Sequence, residues 1–163
     1  MNYFRVVMVM CPLLALHSQT TAAGDSYDER RVTGERIGAA ELQTVAENLR
    51  VRLDILERVE VVLVAHNPLV LSVETRSGRS GPFVISVDEE FVASLTSREQ
   101  EAALAHELGH VWIHTHHPYL QTEKLANDIA LRVVSRSILQ PLYEKVWKRT
   151  GIKGNLTEFI GQP

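Results

Sequence analysis

Sulfur, aromatic rings and any excess of one charge are scarce in this chain. Its single cysteine is Cys11 and its three methionines are Met1, Met8 and Met10, so no sulfur follows Cys11. The remainder has no disulfide framework and no thiol to oxidise. Aromatic residues make up 6% of the chain, which leaves core building to aliphatic side chains. Lys and Arg number 17 against 20 Asp and Glu, a formal net charge of −3. That balance excludes the basic footprint of a nucleic-acid binder, and no nucleic-acid partner is expected. No apolar run reaches the ~20 residues of a membrane-spanning helix; the longest opens the chain, Val6 to Leu16. What is present is an ordinary globular composition, 45% apolar and 23% charged over 163 residues, enough for one core and too little for two.

Arg5 precedes the Val6–Leu16 run, and small or polar residues follow it as far as Ala22-Ala23. A basic residue, a short apolar core and a small-residue exit describe a secretory signal peptide over residues 1–23, with Thr21 and Ala23 before the cut. The expected address is secreted or periplasmic, with no stable membrane span after leader removal; an uncleaved membrane anchor is the alternative. Met10 stands where a lipoprotein signal has a small residue before its cysteine, which argues against lipidation. Residues 24–36 are polar and aperiodic, as in a flexible arm. The expected folded domain covers 37–154, and 155–163 a tail.

Within that domain Leu42, Val45, Ala46, Leu49, Leu53 and Leu56 recur at helical spacing and predict an amphipathic helix. Three β-rich runs follow: 59–65, 69–75 and 83–87. His66-Asn67-Pro68 reads as a turn between the first two, so a small, mostly antiparallel three-stranded sheet is expected. Asp88–Leu95 reads as a short helical turn. Thr96 with Glu99 and Ser97 with Gln100 then form two overlapping capping boxes, which start a helix running from about Ser97 to Thr115. Pro118 ends it. A second helix is expected from about Leu120 to Leu139, broken by Pro141, and a last short one over 142–149. The class is α+β.

The chemistry is concentrated in His106-Glu107-Leu108-Gly109-His110. Histidines at i and i+4 on one helix face can reach one metal ion, and Glu107 then stands beside it as a general base for water. A catalytic zinc site keeps three protein ligands and one open position. His116 has the spacing of a third histidine in HExxHxxGxxH, but Ile113 replaces the turning glycine and no downstream methionine exists for a Met-turn. Glu123 is the other candidate, on a helix kept thin by Ala126 and Ala130. Four residues on, Asn127 shares its face and could orient a ligating histidine, with Asp128 the weaker candidate for that duty. For stabilising an oxyanion the candidates are His114, His117, Tyr119 and Tyr143, among which sequence does not choose. One Zn2+ per chain and a peptide or protein substrate are expected.

The stretch from Leu95 to Val111, followed by Glu123-Lys-Leu-Ala-Asn-Asp-Ile-Ala130, resembles the gluzincin metallopeptidases, closest to ImmA/IrrE-like and HtpX-like peptidase domains. The resemblance implies a minimal zincin fold, with the HExxH helix packed on a Glu-bearing helix. It also implies His106, His110 and Glu123 as zinc ligands, Glu107 as general base, and an edge strand (69–75 or 83–87) that aligns an extended peptide. The chain departs from those groups in its leader, in lacking the membrane helices of the HtpX kind, and in lacking a helix-turn-helix. A small zinc endopeptidase is the expected function. A non-proteolytic, zinc-stabilised peptide-binding module is the alternative, against which Glu107 argues.

Overall fold

The computed structural model describes residues 5–6, 38–76, 81–152 and 154–161; apart from Arg5 and Val6, the expected leader and arm lie outside the described residues. Among the described residues the fold is α+β, with six helices and a small mixed sheet. Helix α1 (Ala39–Arg52) buries Leu42, Ala46 and Leu49, the face its periodicity marks. It ends where Asp54 takes a positive φ of 54°.

Strands β2 (Val59–Val64), β3 (Leu71–Thr75) and β4 (Phe83–Asp88) form the sheet, and a two-residue strand, β1 (Arg5–Val6), lies along β3. The order is β1-β3-β4-β2. β4 is central because its side chains are buried on both faces, whereas β2 carries an exposed Glu60. β3 pairs antiparallel with β4, Leu71 opposite Val87, but β2 pairs parallel with β4, Val59 opposite Phe83. Among the described residues the sheet is therefore mixed: the β1–β3 and β3–β4 pairings are antiparallel, and the β2–β4 pairing departs from the expected antiparallel pattern. The physical reason lies in the expected turn. Asn67 does not close a hairpin; its backbone N–H donates to Asp88 Oδ2 (3.0 Å) and its Nδ2 to the Ser86 carbonyl (3.0 Å) and Ser72 Oγ (3.2 Å). These bonds carry the chain across the end of β4, so β3 lands on the far side. Val70, at φ 58°, completes the crossing in a conformation that costs a β-branched residue about 1–2 kcal/mol.

Asp88 also caps α2 (Glu89–Ala93) by accepting from Phe91 N–H at 2.8 Å. Helix α3 (Ser97–His116) starts at the Thr96–Glu99 box, in which each residue's side chain accepts from the other's backbone N–H. Gln100 joins no box; its amide donates to the Val92 and Leu95 carbonyls. Nearly every residue of α3 from Ala102 to His114 is buried, since it packs against α1, α4, α5 and the β3–β4 side of the sheet. A helix apolar all round belongs at the centre of a fold.

The expected single helix over 120–139 is two. Helix α4 (Glu123–Ala130) ends in a turn, and α5 (Arg136–Thr150) starts at Ser135 and runs through Pro141. A proline inside a helix costs about 3 kcal/mol. Burying Leu139, Leu142, Tyr143 and Val146 of that helix returns more, at about 1.5–3 kcal/mol for each large side chain. The expected tail contains α6 (Leu156–Ile160), with Ile160 buried and Phe159 packed on Tyr143 and Trp147. Among the described residues no helix is long and apolar enough to cross a membrane.

Candidate metal centre

His106 and His110 lie one turn apart at the buried middle of α3, and Glu123 is the first residue of α4. What lets α4 come close is Gly109. A Cβ there would stand 2.4 Å from the Ala126 carbonyl oxygen, a backbone atom that cannot step aside. Ala126 and Ala130, both fully buried, supply the other half of the close approach. As a result His106 Nε2 lies 3.2 Å from Glu123 Oε2, His110 Nε2 3.5 Å from Glu123 Oε1, and the two Nε2 atoms 3.2 Å from each other. Among the described residues this is the one group of three or more His, Cys, Asp or Glu side chains whose donor atoms converge enough to hold a metal ion.

The tautomers follow from the hydrogen bonds on the far side of each ring. Asn127 Nδ2 donates to the Phe159 carbonyl (2.9 Å) and to the Tyr143 hydroxyl (2.7 Å). A carbonyl can only accept, so the amide orientation is set and Asn127 Oδ1 accepts from His106 Nδ1–H at 2.8 Å. Gln121 does the same for His110. Its Nε2 donates to the His110 carbonyl (3.1 Å), leaving Oε1 to accept from His110 Nδ1–H (3.1 Å). Both histidines thus present Nε2 lone pairs to the same point, where Glu123 adds a carboxylate. With both rings neutral and no cation this is a cluster of acceptors around the buried Glu123 Oε2. One proton satisfies one of these contacts, whereas a metal ion satisfies all of them.

The charges agree. Burial opposes an imidazolium at His106, but the hydrogen bond and charge of Glu123 outweigh it and raise its pKa to about 9. Burial likewise opposes the Glu123 carboxylate, and the two histidines overcome it, holding its pKa far below the carboxylate range. Glu107 behaves in the opposite sense. Burial raises its pKa, and the partial offset from His106 and His110 does not restore it. A carboxylate that gains a proton readily beside a metal-binding group is placed to act as a base.

The remaining expected residues are dispersed. His116 is exposed, stacked on Trp112 with ring centroids 4.1 Å apart, and stands outside the converging group. Arg132 adds a cation–π contact to the same indole. Asp128 is exposed and paired with Lys124 at 2.7 Å. His114 is buried, edge-on to Phe83. His117 and Tyr119 are exposed beyond the end of α3. The Tyr143 hydroxyl sits on the Nδ1 side of His106, 3.5 Å from that nitrogen, and burial is the main cause of its raised pKa.

Gln121 is the participant that sequence reasoning missed. It lies in the aperiodic 117–122 connection, and the one signal available was a carboxamide between two motif-bearing helices. No family model, curated protein or solved structure matches the chain.

Proposed function

We propose that this chain is a small zinc endopeptidase of zincin type, secreted or periplasmic, in which His106, His110 and Glu123 hold one zinc ion and Glu107 is the general base. The observation that carries the reading is the convergence of two Nε2 lone pairs and a carboxylate at 3.2–3.5 Å next to a buried glutamate. Zinc–nitrogen and zinc–oxygen bonds of 2.0–2.2 Å in a tetrahedron give edges of about 3.3–3.6 Å between ligand atoms; the 3.5 Å contact falls within that range and the two 3.2 Å contacts just below it.

Bound zinc supplies Lewis acidity, lowering the pKa of water and polarising a carbonyl. The chain's own residues do the rest. Asn127 and Gln121 keep both imidazoles in the Nδ1–H tautomer, so each Nε2 remains free to ligate. Glu107 accepts a proton from the attacking water and returns it to the departing amine, and its burial keeps that proton from bulk solvent. β3 lies beside α3 and its outer edge is paired with the two residues Arg5–Val6 alone, whereas β4 is paired along its length on both sides, so an extended substrate would align on β3.

Glu107→Gln separates the roles. The variant is expected to bind zinc as the parent does and to lose peptide cleavage by at least about a hundredfold, the lower bound for losing a general base. Undiminished cleavage would refute the assignment. Zinc and extended peptides bound tightly by the parent chain, with nothing cleaved, would favour a binding module.

A further inference from the structure

Beside Glu107 lies a small, partly open pocket between three elements. Leu71 of β3, Ala103 of α3, and Leu142, Tyr143 and Val146 of α5 form its walls together with His106 and Glu107. All seven residues are buried. The free volume of about 20 Å³ accommodates one water-sized or methyl-sized group and nothing larger. Water is a poor occupant. His106 Nδ1 is already committed to Asn127, its Nε2 faces Glu123 and the Tyr143 hydroxyl accepts from Asn127, so the lining surface is almost wholly apolar, where a buried water needs two to four polar partners.

Leu71 connects this pocket to the sheet edge. The outer edge of β3 pairs antiparallel with Arg5–Val6, Val6 opposite Val73 and Arg5 opposite Glu74, so that edge does accept an extended segment. A two-residue strand is held weakly and can be displaced. A peptide lying along the same edge places every second side chain on the face where Leu71 meets α3 and α5.

We propose that this pocket receives one methyl-sized side chain, that of alanine, from a peptide aligned on β3, and so restricts the substrate to peptides with alanine beside the reacting bond. The proposal rests on reading the site as one that holds a peptide. Leu142 sets the depth of the pocket, and Val146 a smaller part of it.

The test uses the full chain loaded with zinc and carrying Glu107→Gln, so that binding is read without turnover. An equimolar peptide library is passed over it, and the retained peptides are sequenced by mass spectrometry. Alanine is expected to be enriched at one position. Adding Leu142→Ala is expected to shift that position toward valine or leucine by about tenfold or more, the usual worth of one or more methylenes in an apolar pocket. Val146→Ala, a milder truncation should the first unfold the protein, is expected to shift it the same way. No retention, no preference at any position, or an alanine preference unchanged in both variants would overturn the proposal. Cleavage of the same library by the chain with Glu107 intact separates the two ideas. Retention with alanine preference but no cleavage removes the peptidase reading and leaves the pocket, and cleavage indifferent to alanine does the reverse.

Discussion

A histidine at the heart of a metal site has two nitrogens, and the one turned away from the ion decides whether the other can bind it. Asn127 and Gln121 hold those outward nitrogens, each locked by donating its own amide N–H to a backbone carbonyl. Asn127→Ala and Gln121→Ala are each expected to weaken zinc binding by about 10–100-fold, measured by competition with a chelating dye. Nitrogen NMR on the metal-free variants, taken above pH 9 where His106 is neutral, should also show the ring tautomer of the affected histidine losing its bias, which general destabilisation would not produce. A second expectation concerns protons. With its pKa raised to about 9 in the metal-free protein, His106 is protonated at pH 7 and must give up that proton to bind metal. Zinc affinity should therefore rise with pH, by about tenfold per unit, and level off near pH 9. Calorimetry in buffers of different protonation enthalpy should show about one proton released at pH 7, and no release would contradict the assignment.

Among the elements, α3 and α4 are brought together by absence of bulk. Gly109→Ala sets a methyl against the Ala126 carbonyl, and neither helix backbone can yield locally. The variant is expected to lose about 1–3 kcal/mol of stability and zinc affinity with it, read together by thermal unfolding and metal titration. The crossing from β2 to β3 depends on Asp88, which accepts from Asn67 and Phe91 N–H while Arg149 lies 3.6 Å away. Burial opposes its charge, and these partners overcome it, so its pKa lies below the ordinary value. A depressed carboxyl contributes stability that is complete above its unfolded pKa of about 3.9 and is lost as pH falls through the folded one. Asp88→Asn should therefore be less stable than the parent at pH 7 in urea unfolding, with the gap narrowing below about pH 4. These elements also show where sequence is legible. The α1 face, the Thr96 cap, the HELGH helix and the Glu123–Asn127 pair are local patterns of period or spacing, and the structure repeats them. Gln121, the role of Gly109, the Asn67 crossing and the passage of α5 through Pro141 are decided by which segment lies alongside which. That information is tertiary, and no window of sequence contains it.

At the scale of the molecule the candidate centre is a joint. α3 supplies two of the converging side chains and α4 the third. The connection between them supplies Gln121, and α5 and α6 hold Asn127 through Tyr143 and Phe159. No cysteine follows Cys11, so no disulfide ties the C-terminal half, and a metal bound by the folded state alone raises stability with free metal concentration. Zinc should raise Tm, and His106→Ala should abolish that rise. The most direct test of the account is the zinc affinity of two variants compared with the parent, Glu123→Ala and His116→Ala. Glu123→Ala is expected to lose at least tenfold in affinity while His116→Ala binds zinc as the parent does. Zinc retained in full by Glu123→Ala and lost by His116→Ala would contradict the centre described here.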